Sequence, residues 1–268
     1  MTPSGLDAIP QDDRTEIFRR LDKAREEHGA RILLAIESGS RAWGFPSPDS
    51  DYDVRFLYVL PTEDYLALTP PRDVIEQPIE GLFDINGWDL RKALGLLLKA
   101  NPVLSEWVRS PMIYEEEDGF RARIDALLEN VDERPAARHH HLSLLKHQYA
   151  DFAGKDEVKL KKYFYALRPA YALSWMWENP AGPLPMQFSR LRAGVSEPAD
   201  RAALIEALLR QKAETREMGT GPRIPLLDEF IESVIRRASE ENSGSTPRAD
   251  PQLQQACEAL FRHYTLGD

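Results

Sequence analysis

Two aspartates, Asp51 and Asp53, lie one residue apart in the stretch DSDYDVRFLYVL, at the head of an apolar run. Side chains of a β-strand alternate between its two faces, so this spacing puts both carboxylates and Arg55 on one face. Two carboxylates held side by side can bind a hard divalent cation such as Mg²⁺ together. The pair therefore predicts a metal site at the start of a strand.

A second apolar stretch, ARILLAI, ends in the sequence ESGSR. Gly39 has no Cβ, so the backbone can approach a ligand closely, and the hydroxyl of Ser40 with neighbouring N–H groups can hold phosphate oxygens. Arg41 is a candidate contact for a triphosphate, or a surface arginine. A phosphate-binding turn followed by metal-binding carboxylates is sufficient equipment for phosphoryl or nucleotidyl transfer.

A third carboxylate usually completes such a site, and the stretch FDINGWDL offers Asp84 and Asp89. In a regular strand Asp84 shares a face with Asn86 and Trp88, and it is the favoured choice. Asp89 lies at a strand-to-helix junction, where it would also suit a helix N-cap. A bulge at Gly87 would reverse this order.

Other interpretations of these aspartates remain open. Asp49 and Asp51 also suit simple turn chemistry, and a metal-dependent nuclease could use the same carboxylates. An EF-hand calcium loop is excluded, because Val54 replaces its glycine and Leu60 replaces its glutamate.

The stretch KLKKYFYALRP concentrates positive charge beside tyrosines on a predicted helix. Lys162 and Arg168 are candidate contacts for the triphosphate or for an RNA phosphate. The alternative is a solvated lysine face with the aromatic residues in the core.

Hydrophobic periodicity predicts helices and strands in alternation up to about residue 110, and almost only helices after it. We therefore expect an α/β catalytic domain with a mixed sheet over residues 1–112, and a helical domain over 113–268. The stretch SPMIYEEEDG would connect them. Residues 241–251, ENSGSTPRADP, predict a loop before a last helix.

The 268 residues carry a formal net charge of −10, which disfavours a generally basic nucleic-acid-binding surface but leaves a local basic patch possible. The lone cysteine, Cys257, rules out an internal disulfide and is expected in the core. Neither a secretory signal nor a membrane-spanning run is recognisable, so a cytoplasmic protein is expected.

The ordered combination GSRAWGFPSPDSDYDVRFLYV resembles the signature of the DNA polymerase beta superfamily of nucleotidyltransferases. The stretches INGWDLRKALGLLLKANPVLSEWVRSPMIY and KLKKYFYALRPAYALSWMW are similar to a bacterial and phage branch that is named for a polymerase-beta-like protein of RNA-repair operons. This resemblance extends from about Ile32 to at least Trp177.

The resemblance implies that Gly39 and Ser40 bind the nucleotide and that Asp51 and Asp53 bind metal, with Asp84 or Asp89 as the third carboxylate. It implies transfer of a nucleoside monophosphate from ATP or another NTP, with two Mg²⁺ or Mn²⁺ ions as cofactors. The expected acceptor is an RNA or tRNA end; a protein or small-molecule hydroxyl is also compatible. A nucleotide-sensing or toxin–antitoxin-type binding module without catalysis is the alternative.

Overall fold

The computed structural model describes residues 5–216, 218–241 and 250–267. After a short 3-10 helix (Gly5–Ala8), the elements follow in the order α1 (Gln11–His28), β1 (Arg31–Glu37), α2 (Gly39–Trp43), β2 (Tyr52–Val59), α3 (Thr62–Tyr65), β3 (Val74–Glu76), β4 (Phe83–Asp89), α4 (Leu90–Leu97), α5 (Pro102–Val108), β5 (Ile113–Glu116), α6 (Phe120–Leu128), α7 (Arg134–Ala150), β6 (Glu157–Lys159), α8 (Lys161–Glu178), α9 (Phe188–Ala193), α10 (Ala199–Glu214), β7 (Thr220–Pro222), α11 (Pro225–Glu240) and α12 (Pro251–Leu266).

The chain forms two compact units, and their sequence ranges interleave. The sheet unit contains the described residues of 1–42, 51–132 and 247–268, and the helical unit contains those of 43–50 and 133–246. The predicted division at residue 112 stays a prediction about where the catalytic part ends. The compact units do not follow it, because β5, α6 and α12 pack with the sheet.

The sheet unit is built on a five-stranded mixed sheet in the order β3-β4-β2-β1-β5. Strands β2 and β4 pair in parallel, and the other neighbours are antiparallel. The predicted α/β core with a mixed sheet is confirmed.

Side chains on the two faces of the sheet pack into two separate apolar clusters. In β2, Val54 and Tyr58 join a cluster with Ile17 and Leu21 of α1, whereas Leu57 joins a cluster with α4, α5, α6 and α12. The alternation of β2 side chains between two faces agrees with the sequence prediction, and the second half of the strand is buried on both faces.

Strand β5 is a correction, since its residues were predicted to be a connection. It pairs antiparallel with β1, where Glu115 lies opposite Ala35. Three consecutive glutamates obscure the alternation of apolar and polar residues that predicts a strand. An edge strand tolerates them, because it can leave charged side chains in solvent.

The helical unit packs α7, α9 and α11 around α8, most of whose side chains are buried. One two-stranded sheet, β6 with β7, adds to a part predicted as wholly helical. The helix predicted at KLKKYFYALRP begins at Lys161, because Lys159 belongs to the strand Glu157–Lys159.

Most of the predicted loop 241–251 lies outside the described residues. None of the helices in the described ranges is long and apolar enough to cross a bilayer.

Candidate active site

The parallel pairing of β2 and β4 brings two of the predicted carboxylates together. Asp53 lies opposite Asp84 in an unbroken register that runs to Tyr58 opposite Asp89. No bulge interrupts the strand at Gly87, so Asp84 keeps the face on which Asp53 projects. The two carboxylates are half-buried.

Arg55 lies between these two carboxylates. Its Nη2 donates to Oδ1 of Asp53 at 3.1 Å and to Oδ2 of Asp84 at 2.7 Å. Its Nη1 donates to the carbonyl oxygens of Val54 and Asp84, at 3.0 and 2.9 Å. One guanidinium therefore holds the acidic side chains of both strands.

Gly39 packs directly against Asp53. A Cβ at Gly39 would lie 1.8 Å from Oδ2 of Asp53, and the φ angle of Gly39 is +57°. The Ser38 N–H also donates to the Asp53 carbonyl at 2.9 Å. The Gly-Ser turn and the aspartate thus touch, as the sequence pattern predicts, and Ser40 follows at the start of α2 with 7% exposure.

Glu37, the last residue of β1, contacts the backbone of Asp53. It is not among the site residues that the sequence pattern predicts. It is completely buried. Its Oε1 accepts from the Asp53 N–H at 3.0 Å, and its Oε2 accepts from the Tyr114 hydroxyl. Burial raises the pKa of the Glu37 carboxyl to about 7. The signal in the sequence was an acidic residue ending an otherwise apolar strand.

Asp51 and Arg41 lie at the entrance to β2. The Asp51 residue is exposed, and its carbonyl accepts from Nε of Arg41 at 3.1 Å. The Arg41 guanidinium also stacks on the Tyr52 ring, 3.9 Å from its centroid. Arg41 thus bridges the Gly-Ser segment to β2.

Burial raises the pKa of the Asp53 carboxyl above its ordinary value, and the charges of Asp84 and Asp51 add to the rise. The positive charges of Arg55 and Arg41 oppose it. Like charges gathered in one place are the electrostatic pattern of a cation-binding site.

Asp89 has the structural partners of a helix cap. Its Oδ1 accepts from the Arg91 N–H at 2.7 Å at the start of α4, and its Oδ2 accepts from the Tyr65 hydroxyl at 2.6 Å. It is 3% exposed, and burial raises its pKa. Asp89 stands at the far end of β4 from Asp84.

Lys162 and Arg168 belong to the helical unit. Lys162 is half-exposed and forms an ion pair with Asp151 at 3.0 Å. Arg168 is 2% exposed, stacks on Trp43 at 4.3 Å and donates to the Met186 carbonyl. Their predicted phosphate contacts stay predictions, and the burial of Arg168 favours a packing role.

The donor chemistry of the site fits a divalent cation, since oxygens of Asp53 and Asp84 already share one positive nitrogen of Arg55. In residues 5–216, 218–241 and 250–267, no three His, Cys, Asp or Glu side chains form a group that could hold a metal ion. The predicted metal site stays a prediction, and the positive group that contacts both carboxylates is the Arg55 guanidinium.

A mixed sheet that sets paired aspartates beside a Gly-Ser turn defines the core of a nucleotidyltransferase. The family model described as RNA repair pathway DNA polymerase beta family matches residues 14–263, and the chain belongs to that family. The protein is therefore a polymerase-beta-like nucleotidyltransferase.

The chain is also similar to a curated protein and to a solved structure. The chain is 40% identical over 227 residues to a Bacillus subtilis (strain 168) protein named "Uncharacterized protein YcgL", covering 85% of this chain and 87% of the relative. A crystal structure of a nucleotidyltransferase-like protein from Exiguobacterium sibiricum 255-15 aligns with 92% of this chain and 78% of that chain. The sequence identity is 12% and the TM-score is 0.29.

Proposed function

We propose that the protein transfers a nucleoside monophosphate from an NTP, with ATP as the first candidate, to the hydroxyl of an RNA end. The acceptor oxygen bonds to the α-phosphorus, the bond from that phosphorus to the bridging oxygen breaks, and pyrophosphate leaves. The hydroxyl proton passes to a site carboxylate or to water. The contact between Gly39 and Asp53, with Asp84 opposite in register, carries this proposal.

Each site residue has a role in this proposal. Gly39 and Ser40 bind the phosphates, and Arg41 steadies the turn beside them. Asp53 and Asp84 would hold Mg²⁺ or Mn²⁺, which would neutralise phosphate charge when bound, and the predicted metal contact of Asp51 stays a prediction. Glu37 fixes the backbone of Asp53 from below.

The choice of Asp84 over Asp89 rests on hydrogen bonds. Both oxygens of Asp89 are engaged by Tyr65 and by the first turn of α4. Asp84 points its carboxylate to the same guanidinium as Asp53. The buried helix-capping contacts of Asp89 support a structural role for that residue. The strand face that Asp84 shares with Asp53 supports a catalytic role for Asp84.

The test incubates purified protein with each labelled NTP, Mg²⁺ or Mn²⁺, and RNA, tRNA or protein acceptors. We expect Asp53→Asn and Asp84→Asn to lose at least about a hundredfold in transfer rate, because each removes a negative charge that would hold the divalent cation. The matched control is Asp22→Asn, which changes an exposed carboxylate of α1. Transfer that survives in both site variants would refute the proposal.

An RNA acceptor is supported by the family description and opposed by the net charge of −10. The affinity of a protein that binds RNA through phosphate contacts falls steeply as the salt concentration rises. At low RNA concentration, the logarithm of the transfer rate should therefore fall linearly with the logarithm of the salt concentration. A salt-independent rate would point to a protein or small-molecule hydroxyl instead.

A second candidate is a nucleotide-binding module without catalysis. The observation that favours it is Arg55, whose single positive charge already compensates part of the negative charge of Asp53 and Asp84. Nucleotide binding with no product in either metal and with any acceptor would support this candidate.

A further inference from the structure

Arg55 has an unusually complete set of partners for a residue of a catalytic strand face. Its side chain is only 17% exposed, and its two terminal nitrogens meet two carboxylates and two carbonyl oxygens. The carbonyls of Val54 and Asp84 fix Nη1, and the carboxylates of Asp53 and Asp84 fix Nη2. The guanidinium is therefore held in position by the backbones of both strands.

The position of the Arg55 guanidinium reduces the repulsion between two carboxylates. Asp53 and Asp84 lie directly opposite in parallel strands, and two partly buried carboxylates at that spacing repel each other. A planar guanidinium that donates to both carboxylates is a strong form of compensation, because its N–H groups match the geometry of carboxylate oxygens. A divalent cation would provide the same compensation at the same oxygens.

We propose that Arg55 is a built-in counter-ion that competes with the divalent cation for Asp53 and Asp84. Without metal, Nη2 of Arg55 keeps the two carboxylates together by donating to both of them. When metal enters, Nη2 gives up the carboxylates while Nη1 keeps its carbonyl partners, so the guanidinium stays beside the phosphates. The inference deepens the proposed function, since it rests on cation binding by these carboxylates.

Competition predicts a specific result for Mn²⁺ binding to the full chain, measured by isothermal titration calorimetry. Arg55→Met keeps an unbranched side chain but removes the guanidinium and its charge. We expect this variant to bind Mn²⁺ about tenfold more tightly than the parent protein, because no cation must be displaced. The control is Arg72→Met, which removes an exposed arginine paired with Glu76.

Thermal unfolding gives a second readout. Without metal, Arg55→Met should melt at a lower temperature than the parent, because the carboxylates are no longer compensated. Millimolar Mg²⁺ should raise the melting temperature of the variant by more than that of the parent or of Arg72→Met. A purely structural ion pair would lower the melting temperature equally with and without Mg²⁺.

Equal or weaker Mn²⁺ binding by Arg55→Met would overturn the inference. If this variant does not fold, Arg55→Lys replaces it, because a single ammonium cannot donate to all four acceptors. We then expect Arg55→Lys to bind Mn²⁺ more tightly than the parent protein. Unchanged Mn²⁺ binding by Arg55→Lys would overturn the inference. Failure of the proposed function looks different: competition would be observed, but no NTP and acceptor pair would yield product.

Discussion

At Gly39 the backbone lies against the Asp53 carboxylate and leaves no room for a side chain. The φ angle of +57° adds a second reason for glycine, because other residues adopt this conformation only with strain. The contact makes Gly39 a determinant of where the Asp53 oxygens point.

The change Gly39→Ala is expected to abolish measurable transfer and to lower the free energy of unfolding by about 1–3 kcal/mol, since the new Cβ must displace Asp53. Transfer assays and chemical denaturation measure the two effects. Gly154→Ala is the matched control, because Gly154 has a φ of +77° but no neighbour within 4 Å of its added Cβ. A similar loss of transfer in both variants would contradict the role of the contact.

At this scale the sequence was informative where residue spacing alone sets the geometry. Asp53 and Arg55 share a face because strands alternate, and that was predictable. The partners of Arg55 and Glu37 were not, because they depend on the register of β4 with β2 and on the position of Tyr114 in a strand that was missed.

At the scale of elements, Asp89 begins α4 and ties it to α3 through Tyr65. Asp89→Ala should lower the free energy of unfolding by about 2–4 kcal/mol, as it removes a cap and leaves a buried hydroxyl without its acceptor. Chemical denaturation checks this. Asp250→Ala removes the exposed cap of α12 and should cost only about 1 kcal/mol. Equal costs would show that the buried contact adds nothing.

Helix α12 closes the apolar cluster formed with α4 and α6. Leu253→Asp puts a charge into this cluster, and we expect a loss of several kcal/mol of stability, visible as a lowered melting temperature. Leu266→Asp changes an exposed leucine of the same helix and should melt within a few degrees of the parent protein. Indistinguishable melting temperatures would mean that α12 does not stabilise the sheet unit.

Most elements were predictable because their apolar residues repeat with a clear period, as in α1, β2 and α4. The exceptions depend on distant partners. Strand β5 exists because β1 offers it an edge, and β6 exists because β7 pairs with it from some sixty residues further along. A short segment with charged residues contains no local signal of such pairing.

At the scale of the whole molecule, stability should depend on pH through His141, which is fully buried in the helical unit. Neither of its ring nitrogens has a hydrogen-bond partner among the described residues. Burial lowers its pKa well below the ordinary 6.5, and the charges of Arg168 and His140 lower it further.

The folded protein therefore keeps His141 neutral while the unfolded chain takes up a proton below pH 6.5. Stability is present above that pH and is lost progressively as pH falls toward the folded pKa. His141→Leu should remove this part of the pH dependence in denaturation curves, and His147→Leu, at an exposed position of the same helix, should keep it. Parallel pH profiles for His141→Leu and the parent would refute the assignment.

The interleaved units have a consequence for synthesis. A ribosome makes β1 to α6 early, but α12, which closes their apolar cluster, is translated only after the entire helical unit. Nascent chains stalled before residue 251 should therefore expose the sheet unit to proteases while the helical unit resists them. Folding of the sheet unit thus waits for translation of α12, so we expect termination before residue 251 to inactivate a chain whose candidate-site aspartates were made long before.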